Sequence, residues 1–192
     1  VHNNVHPKHS IMLYKEWFLD NISEGDVVLD VGCNTGMMTF VMSNKSKFVY
    51  GIEIEKKHIE VAKKSSRKKD NIEYICADAT TYDYTYCKPI DTVTLSNVLE
   101  HVEFRTDFLK KLSTQVCWAN NGNKKILIRV PMIDRDWITV YKKEIALEYR
   151  LDNTHFIEYT YDSFLTELME SGIEIKSYHI KFGEIYAVCR VT

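Results

Sequence analysis

The sequence predicts an α/β domain built on a mostly parallel β-sheet. Five short apolar runs, which are typical of buried strands, alternate with segments of helical periodicity, and this alternation favours right-handed βαβ crossovers. Two more strand-like segments end the chain, and Phe182-Gly183 between them indicates an antiparallel hairpin. The chain of 192 residues has room for one domain, to which we assign residues 1–192.

Local patterns mark each element in turn. Apolar residues recur at near-helical spacing over Ile11–Ile22, within an N-terminal helical segment at residues 1–24. Pro131 stops the fifth strand, and Gly172 stops the last helix in the manner of a C-cap. The predicted strands are Asp26–Val31, Lys47–Glu53, Asn71–Cys76, Asp91–Ser96, Lys124–Val130, Ile173–Lys181 and Glu184–Val191. A second helix is predicted to begin at Met37. Three further helices are predicted over Glu55–Lys68, Glu103–Cys117 and Asp162–Glu170.

Composition and charge narrow the function classes. The net charge of −2 excludes a general electrostatic attraction to nucleic acid or to an anionic membrane, and leaves only a local basic patch open. No apolar run approaches the ~20 residues that span a membrane, and the polar N-terminus lacks the apolar core of a signal peptide. The five cysteines are odd in number and contain no C-x-x-C pair, which favours buried thiols in a reducing, cytoplasmic compartment.

A glycine loop follows the first predicted strand, in the run VLDVGCNTG. Gly32 permits a tight turn, and Gly36 permits a close approach of the backbone to a ligand. The helix that starts after the loop directs free N–H groups towards it, which favours a bound carboxylate or phosphate. The spacing is G-x-x-x-G rather than the G-x-G-x-x-G of dinucleotide-binding proteins, and the P-loop pattern is absent from the sequence.

Acidic residues end or follow the next two predicted strands. Glu53 lies 23 residues after Asp30, where a carboxylate is able to accept hydrogen bonds from two ribose hydroxyls. Asp78 follows the third strand and is placed to accept from an exocyclic amine such as that of adenine. Taken singly, each of these is also explained as a turn residue or a solvated strand end; together with the glycine loop they favour a nucleoside-containing cofactor.

Four motifs in order carry a resemblance to a known family. The runs VLDVGCNTG, YGIEIEKKHIEVAKK, CADAT and DTVTLSNVLEHV resemble those of class I S-adenosylmethionine-dependent methyltransferases, and the match covers residues 11–130. The resemblance implies a Rossmann-like sheet of seven strands in the order 3-2-1-4-5-7-6. It also implies the cofactor S-adenosylmethionine, with S-adenosylhomocysteine as its product.

The same resemblance assigns a role to each cofactor residue. It gives Asp30, Gly32 and Gly36 to the amino-acid part of the cofactor and Glu53 to the ribose. Asn34 stands where the family usually has glycine, and asparagine tolerates the left-handed backbone that the loop requires. The remaining assignments are Ile54 beside Glu53, Asp78 and Ala79 at the adenine, and Ser96 and Asn97 on the methionine side.

A second, narrower resemblance concerns the chemistry. NVLEHV and THFIEYTYDSF resemble segments of metal-assisted small-molecule O-methyltransferases and of small-RNA 2′-O-methyltransferases. In the RNA enzymes a Glu-x-x-Glu-His run and a later histidine hold a divalent ion, and Glu100, His101 and His155 match three of those places. Asn97 stands where the first glutamate would be, so we predict no metal and a basic or orienting catalytic role for His101 and His155. The alternatives are a bound divalent metal and a purely structural role.

Three functions remain open after these observations. We favour O-methylation of a small metabolite or of a glycan sugar, with residues 131–161, which lack a simple period, as an insert that covers the acceptor. The alternatives are a metal-assisted RNA 2′-O-methyltransferase and a non-catalytic module that binds the cofactor. Nucleic acid is not the expected partner, because the lysines near residues 56–69 are explained as a solvated helix face. His9 and Tyr14 are candidates for closing over the cofactor, and Arg129 for binding an acidic or sugar-like acceptor.

Overall fold

The computed structural model describes residues 12–120, 122 and 124–192 and contains one sheet of seven strands. The strands are β1 (Val27–Val31), β2 (Phe48–Glu53), β3 (Ile72–Cys76), β4 (Thr92–Ser96), β5 (Lys125–Pro131), β6 (Ile173–Lys181) and β7 (Glu184–Val191). Their order across the sheet is β3-β2-β1-β4-β5-β7-β6, which confirms the order that the family resemblance implied. The first five strands pair in parallel, and β7 runs antiparallel between β5 and β6. The predicted C-terminal hairpin is therefore confirmed.

Helices connect the strands and cover both faces of the sheet. They are α1 (Tyr14–Asn21), α2 (Met37–Met42), α3 (Lys56–Ser65), α4 (Arg105–Gln115), α5 (Trp137–Glu144) and α6 (Tyr161–Glu170). The observed helices start and end within three residues of the predicted bounds, except that α5 lies in the segment for which no regular period was predicted. Its N-cap is Asp136, whose side chain accepts a hydrogen bond of 2.9 Å from the backbone N–H of Ile138. Residues 1–11, including His9 and the first part of the predicted N-terminal segment, lie outside the described residues.

Three apolar clusters of the described residues pack helices against the sheet, and the smallest joins α3 to Tyr74 of β3. The central strand β1 is buried along its whole length, as expected for a parallel strand covered on both faces. On one face, α4 and α6 contribute Phe108 and Phe164 to the largest cluster. On the other face, α1 and α2 contribute Phe18 and Met42. None of the described helices is long and apolar enough to cross a membrane.

The parallel strands direct their carboxyl ends to one edge of the sheet. In open α/β sheets ligands bind at this edge, close to the point where the strand order reverses. That point lies here between β1 and β4, which are neighbours in the sheet although two strands separate them along the chain. The loops after β1, β2, β3 and β4 therefore define the place of the candidate site.

Candidate active site

A cavity of about 850 Å³ opens at the carboxyl edge of the sheet. It brings together seven of the ten predicted cofactor residues, which lie on four different loops. These are Gly32, Asn34, Glu53, Ile54, Asp78, Ala79 and Asn97. Asp30, Gly36 and Ser96 do not line its wall. The size of the cavity falls within the range of about 300–1,000 Å³ that is usual for small-molecule sites.

The glycine loop has the backbone geometry that the sequence indicates. Gly32 and Asn34 have φ angles of 68° and 49°, both in the left-handed region. Gly36 has a φ of 78°, and a Cβ atom on it would lie 2.4 Å from the Tyr74 hydroxyl oxygen and 2.8 Å from the Ala62 Cβ. Gly36 therefore permits a close approach of the loop to β3 and α3, and its expected approach to a ligand stays a prediction.

Glu53 links the glycine loop to the end of β2. One carboxylate oxygen accepts a hydrogen bond of 3.0 Å from the Asn34 backbone N–H, and the other accepts one of 3.0 Å from the Glu55 N–H. These two bonds fix the carboxylate on the wall of the cavity. Asp78 is held in a similar way, because its Oδ1 accepts from both the N–H and the hydroxyl of Thr80, at 2.8 and 2.7 Å.

Asp30 lies beneath the glycine loop rather than in the cavity. Its side chain is buried and accepts hydrogen bonds from the hydroxyls of Thr39 on α2, at 2.6 Å, and Thr94 on β4, at 2.8 Å. Burial raises the pKa of Asp30 to about 6, and the two hydroxyls oppose that shift. The carboxyl group thus joins three elements that position the loop.

Glu100, His101 and His155 form a cluster next to the cavity. Glu100 and His101 belong to a short 3₁₀ turn after β4, and the backbone N–H of Phe156 donates a 2.7 Å hydrogen bond to the Glu100 carbonyl oxygen. That bond brings the insert against the turn, and the two imidazole rings lie 4.7 Å apart between centroids. His101 and Phe156 line the cavity, whereas His155 is buried behind them.

The cluster has the composition of a divalent-cation site. One ligand atom from each of its three residues lies within 4.8 Å of the others. Glu100 is 1% exposed, and its Oε2 atom has no hydrogen-bond partner among the described residues. Burial raises the pKa of Glu100 to about 8. A buried glutamate with an unsatisfied oxygen beside two imidazoles fits a divalent metal ion, which would keep the carboxyl group ionised, so the residues present are compatible with one.

Two residues that the sequence did not assign to the site contact the histidines of the cluster, and a third, Arg129, has a different place from the one expected. Glu158 Oε1 lies 2.7 Å from His155 Nδ1, and Thr154 Oγ1 lies 2.9 Å from His101 Nδ1. Arg129, which we had considered for acceptor binding, is buried behind the cavity wall. Its Nε lies 3.2 Å from Asn97 Oδ1 and 3.3 Å from Glu184 Oε2.

The N-terminal helix contacts this buried arginine. The Tyr14 ring lies 4.4 Å from the Arg129 guanidinium, and Tyr14 is not among the residues that line the cavity. Asn97, which the arginine holds from behind, has a left-handed φ of 55°. Tyr14 therefore contacts the same guanidinium that lies against Asn97 Oδ1, and its closing over the cofactor stays a prediction.

Comparisons with known proteins agree with this fold. Residues 29–116 match the family model described as a methyltransferase domain. A ubiquinone biosynthesis O-methyltransferase of Coxiella burnetii is 25% identical over 152 residues, which cover 78% of this chain and 63% of that protein. The chain spans less than two thirds of the length of such curated relatives, with a coverage that ranges from 17% to 63%.

Solved structures establish the fold. A magnesium protoporphyrin IX methyltransferase from Synechocystis, with bound S-adenosylhomocysteine, has a TM-score of 0.71 at 16% identity over 96% of this chain and 83% of that chain. A small RNA methyltransferase has a TM-score of 0.76 at 16% identity over 100% of this chain and 26% of that chain. With the sheet order, these findings show that the chain has the Rossmann-like fold of the class I S-adenosylmethionine-dependent methyltransferases and that its residues 29–116 match a methyltransferase domain.

Proposed function

We propose that this protein is an O-methyltransferase, which transfers the methyl group of S-adenosylmethionine to a hydroxyl group held at Glu100, His101 and His155. The observation that carries the proposal is the convergence of these three side chains beside the cavity. The cofactor, when bound, supplies a methyl group on a sulfonium. The protein's own task is to align the acceptor with that group, to remove the proton of the hydroxyl and to exclude water.

We propose that the cavity holds the cofactor in the orientation assigned from the motifs. Glu53 accepts from the ribose hydroxyls, because a carboxylate has lone pairs left beyond the two backbone N–H groups that hold it in place. Asp78 and Ala79 contact the adenine, and Ile54, which is 62% exposed on the cavity wall, covers one of its faces. Gly32, Asn34 and Asn97 surround the amino-acid part, while Asp30, Gly36 and Ser96 act from outside the cavity wall.

Glu53→Ala is expected to weaken the binding of S-adenosylhomocysteine by about 1.5–3 kcal/mol, or roughly 10- to 150-fold in Kd, the scale of hydrogen bonds to a charged group. Titration calorimetry measures the change directly. Glu73→Ala is the matched control, because Glu73 is an exposed glutamate on the neighbouring strand β3 and does not line the cavity. Equal affinity of the wild type and a folded Glu53→Ala variant would reject the ribose assignment.

We further propose that a divalent cation binds at Glu100, His101 and His155. The motif pattern favoured a metal-free site, since Asn97 replaces one carboxylate, but the buried and unsatisfied Glu100 oxygen supports a cation. A cation there would lower the pKa of the acceptor hydroxyl and stabilise the resulting alkoxide. His101 and His155 would serve as ligands in that case, and one of them as the general base if the site works without metal.

The acceptor class that we propose is a small metabolite or a sugar with a free hydroxyl. The net charge of −2 and the burial of Glu100 and His155 support a small acceptor. The exposed ring of Phe156, on the cavity wall next to His155, offers an apolar surface for it. Residues 131–161 would cover the acceptor, since this segment follows β5 at the same edge of the sheet.

A ribose 2′-hydroxyl of RNA is the second candidate. One observation favours it: α5 exposes Trp137 and Tyr141, at 72% and 54%, on the same helix as Lys142 and Lys143. Exposed aromatic rings interleaved with cations are able to stack on bases and to contact phosphates. The likeness to a solved small RNA methyltransferase is consistent with this candidate but concerns the fold alone.

Methyl incorporation decides between the two acceptors. The assay supplies labelled S-adenosylmethionine with a panel of small hydroxylated compounds and, separately, with short RNA, each at low and high salt. A small acceptor predicts incorporation that changes little with salt, whereas RNA predicts a steep loss because phosphate contacts release counterions. If the protein binds the cofactor tightly but transfers methyl groups to neither class of acceptor, it is a non-catalytic module that binds the cofactor.

A further inference from the structure

We propose that Glu158 and Thr154 are positioning residues that hold His155 and His101 in one defined tautomer, with the ring proton on Nδ1. Both Nε2 atoms are then left with a free lone pair. The tautomers follow from hydrogen bonds in the protein alone, whereas the use of the lone pairs for a cation or for proton removal rests on the proposed function.

The tautomer of His155 is set by a buried carboxylate. His155 Nδ1 lies 2.7 Å from Glu158 Oε1, and the same oxygen accepts a 2.7 Å hydrogen bond from the backbone N–H of Leu151. A carboxylate accepts hydrogen bonds and has no proton to donate, so the proton of this bond lies on His155 Nδ1. The surrounding backbone is fixed as well, because Arg150 Nη1 donates to the His155 carbonyl oxygen at 3.1 Å.

The tautomer of His101 is set by a hydroxyl with a single proton. Thr154 Oγ1 lies 2.7 Å from Asp152 Oδ1 and 2.9 Å from His101 Nδ1. The Asp152 carboxylate accepts only, so it takes the hydroxyl proton, and the Thr154 oxygen is left to accept from the imidazole. His101 must therefore carry its proton on Nδ1. Asp152 is itself held by the Thr154 backbone N–H, which donates to its Oδ1 at 2.9 Å.

The two contacts have the same consequence although their chemistry differs. Each closes the Nδ1 side of a ring and leaves Nε2 as the atom with a lone pair. Hydrogen bonds of this kind commonly orient metal-binding histidines, and removing one typically costs 10- to 100-fold in metal affinity. Neither Glu158 nor Thr154 lines the cavity, so both act through the histidines and not on the acceptor.

Nuclear magnetic resonance of the metal-free protein tests the tautomers without reference to activity. Two-bond proton–nitrogen correlation of ¹⁵N-histidine protein, at about pH 8.5 where an ordinary imidazole is neutral, distinguishes Nδ1–H from Nε2–H rings. The wild type is expected to show the Nδ1–H form for both histidines. Thr154→Val should shift His101 towards the other tautomer, whereas Thr154→Ser should not, since serine keeps the hydroxyl. Thr154 is exposed, so neither variant disturbs the core.

Cobalt(II) calorimetry supplies the second readout. Thr154→Val and Glu158→Leu should bind Co²⁺ about 10- to 100-fold more weakly than the wild type. Thr154→Ser and Glu158→Gln should stay close to it, because the glutamine carbonyl still accepts from Nδ1. If Glu158→Leu fails to fold, the comparison of Thr154→Val with Thr154→Ser and the wild-type spectrum still test the positioning roles.

The outcomes separate this inference from the proposed function. An Nε2–H ring at His101 or His155 in the wild type would overturn the positioning roles, whatever the cation affinity. Nδ1–H rings in a protein that binds no Co²⁺ would support the positioning roles and reject the proposed cation. Equal tautomers in Thr154→Val and Thr154→Ser would overturn the role of Thr154.

Discussion

Replacing Glu100 by glutamine, or His101 or His155 by asparagine, is expected to lower turnover by about 10²–10⁴-fold, the range typical of a lost proton-transfer group. The affinity for S-adenosylhomocysteine should stay within a few-fold of wild type, because the residues proposed to bind its ribose and adenine are untouched. Chelation of divalent ions should reduce the wild-type rate to a similar degree, and added Mn²⁺ or Mg²⁺ should restore it. Steady-state rates and calorimetry measure the two effects separately.

The matched control is His179→Gln, since His179 lies on the edge strand β6 and outside the cavity. It should leave the rate unchanged. A chelator without effect, combined with inactive histidine variants, would reject the cation and assign proton removal to an imidazole. Full activity of the Glu100→Gln variant with chelator present would show that the cluster takes no part in the reaction.

Asp30→Asn is expected to stabilise the protein by about 3 kcal/mol at pH 8, which is the upper value for a shift of about two pKa units. Folding raises the pKa of this carboxyl from 3.8 to about 6 because burial disfavours the charge. The unfolded chain therefore loses its proton first as the pH rises, and the wild type loses stability between about pH 4 and 6. Below pH 4 both states are protonated and the gain from asparagine should vanish.

Urea unfolding of both proteins at pH 4 and pH 8 measures this difference. Thr39 and Thr94 are able to accept from the asparagine amide, since each hydroxyl can rotate. Asp26→Asn is the control. Asp26 lies just before β1 and accepts hydrogen bonds from the Ser23 N–H and the Thr92 hydroxyl, so its replacement should make the protein less stable. A more stable Asp30→Asn protein with weaker cofactor binding would show that the carboxyl is retained for function at a cost in stability. Equal stability at both pH values would contradict the burial account.

The strands and the loops that form the cavity could be predicted from local patterns in the sequence, whereas the order of the strands followed only from the resemblance to the methyltransferase family. Buried strands and their terminal residues are visible as apolar runs followed by Gly32, Glu53 or Asp78, and parallel topology carries these ends to one edge. Helix α5 was missed for a physical reason. Its apolar residues, such as Trp137 and Tyr141, face solvent, so they do not produce the one-sided period that marks a core-packed helix.

The contacts of Glu158 with His155 and of Thr154 with His101 could not be predicted from the sequence, for a different reason. Glu158 follows His155 by three residues, a spacing that brings two side chains together in a helix but carries no such meaning in an irregular segment. The contact of Thr154 with His101 joins residues 53 positions apart and depends on how the insert packs. The packing of Gly36 was also beyond sequence reasoning. The motif indicates that a glycine is needed at this position, but only the structure shows that the glycine leaves room for Tyr74 and Ala62.

The contact between Arg129 and Asn97 has a consequence for engineering. Restoring a carboxylate by Asn97→Glu, in order to complete the ligand set of the RNA enzymes, would place an anion beside a buried guanidinium. The new carboxylate would pair with Arg129 and draw it away from Glu184, which would then be a buried anion without its partner. A designer must therefore treat residues 97, 129 and 184 as one unit and change them together.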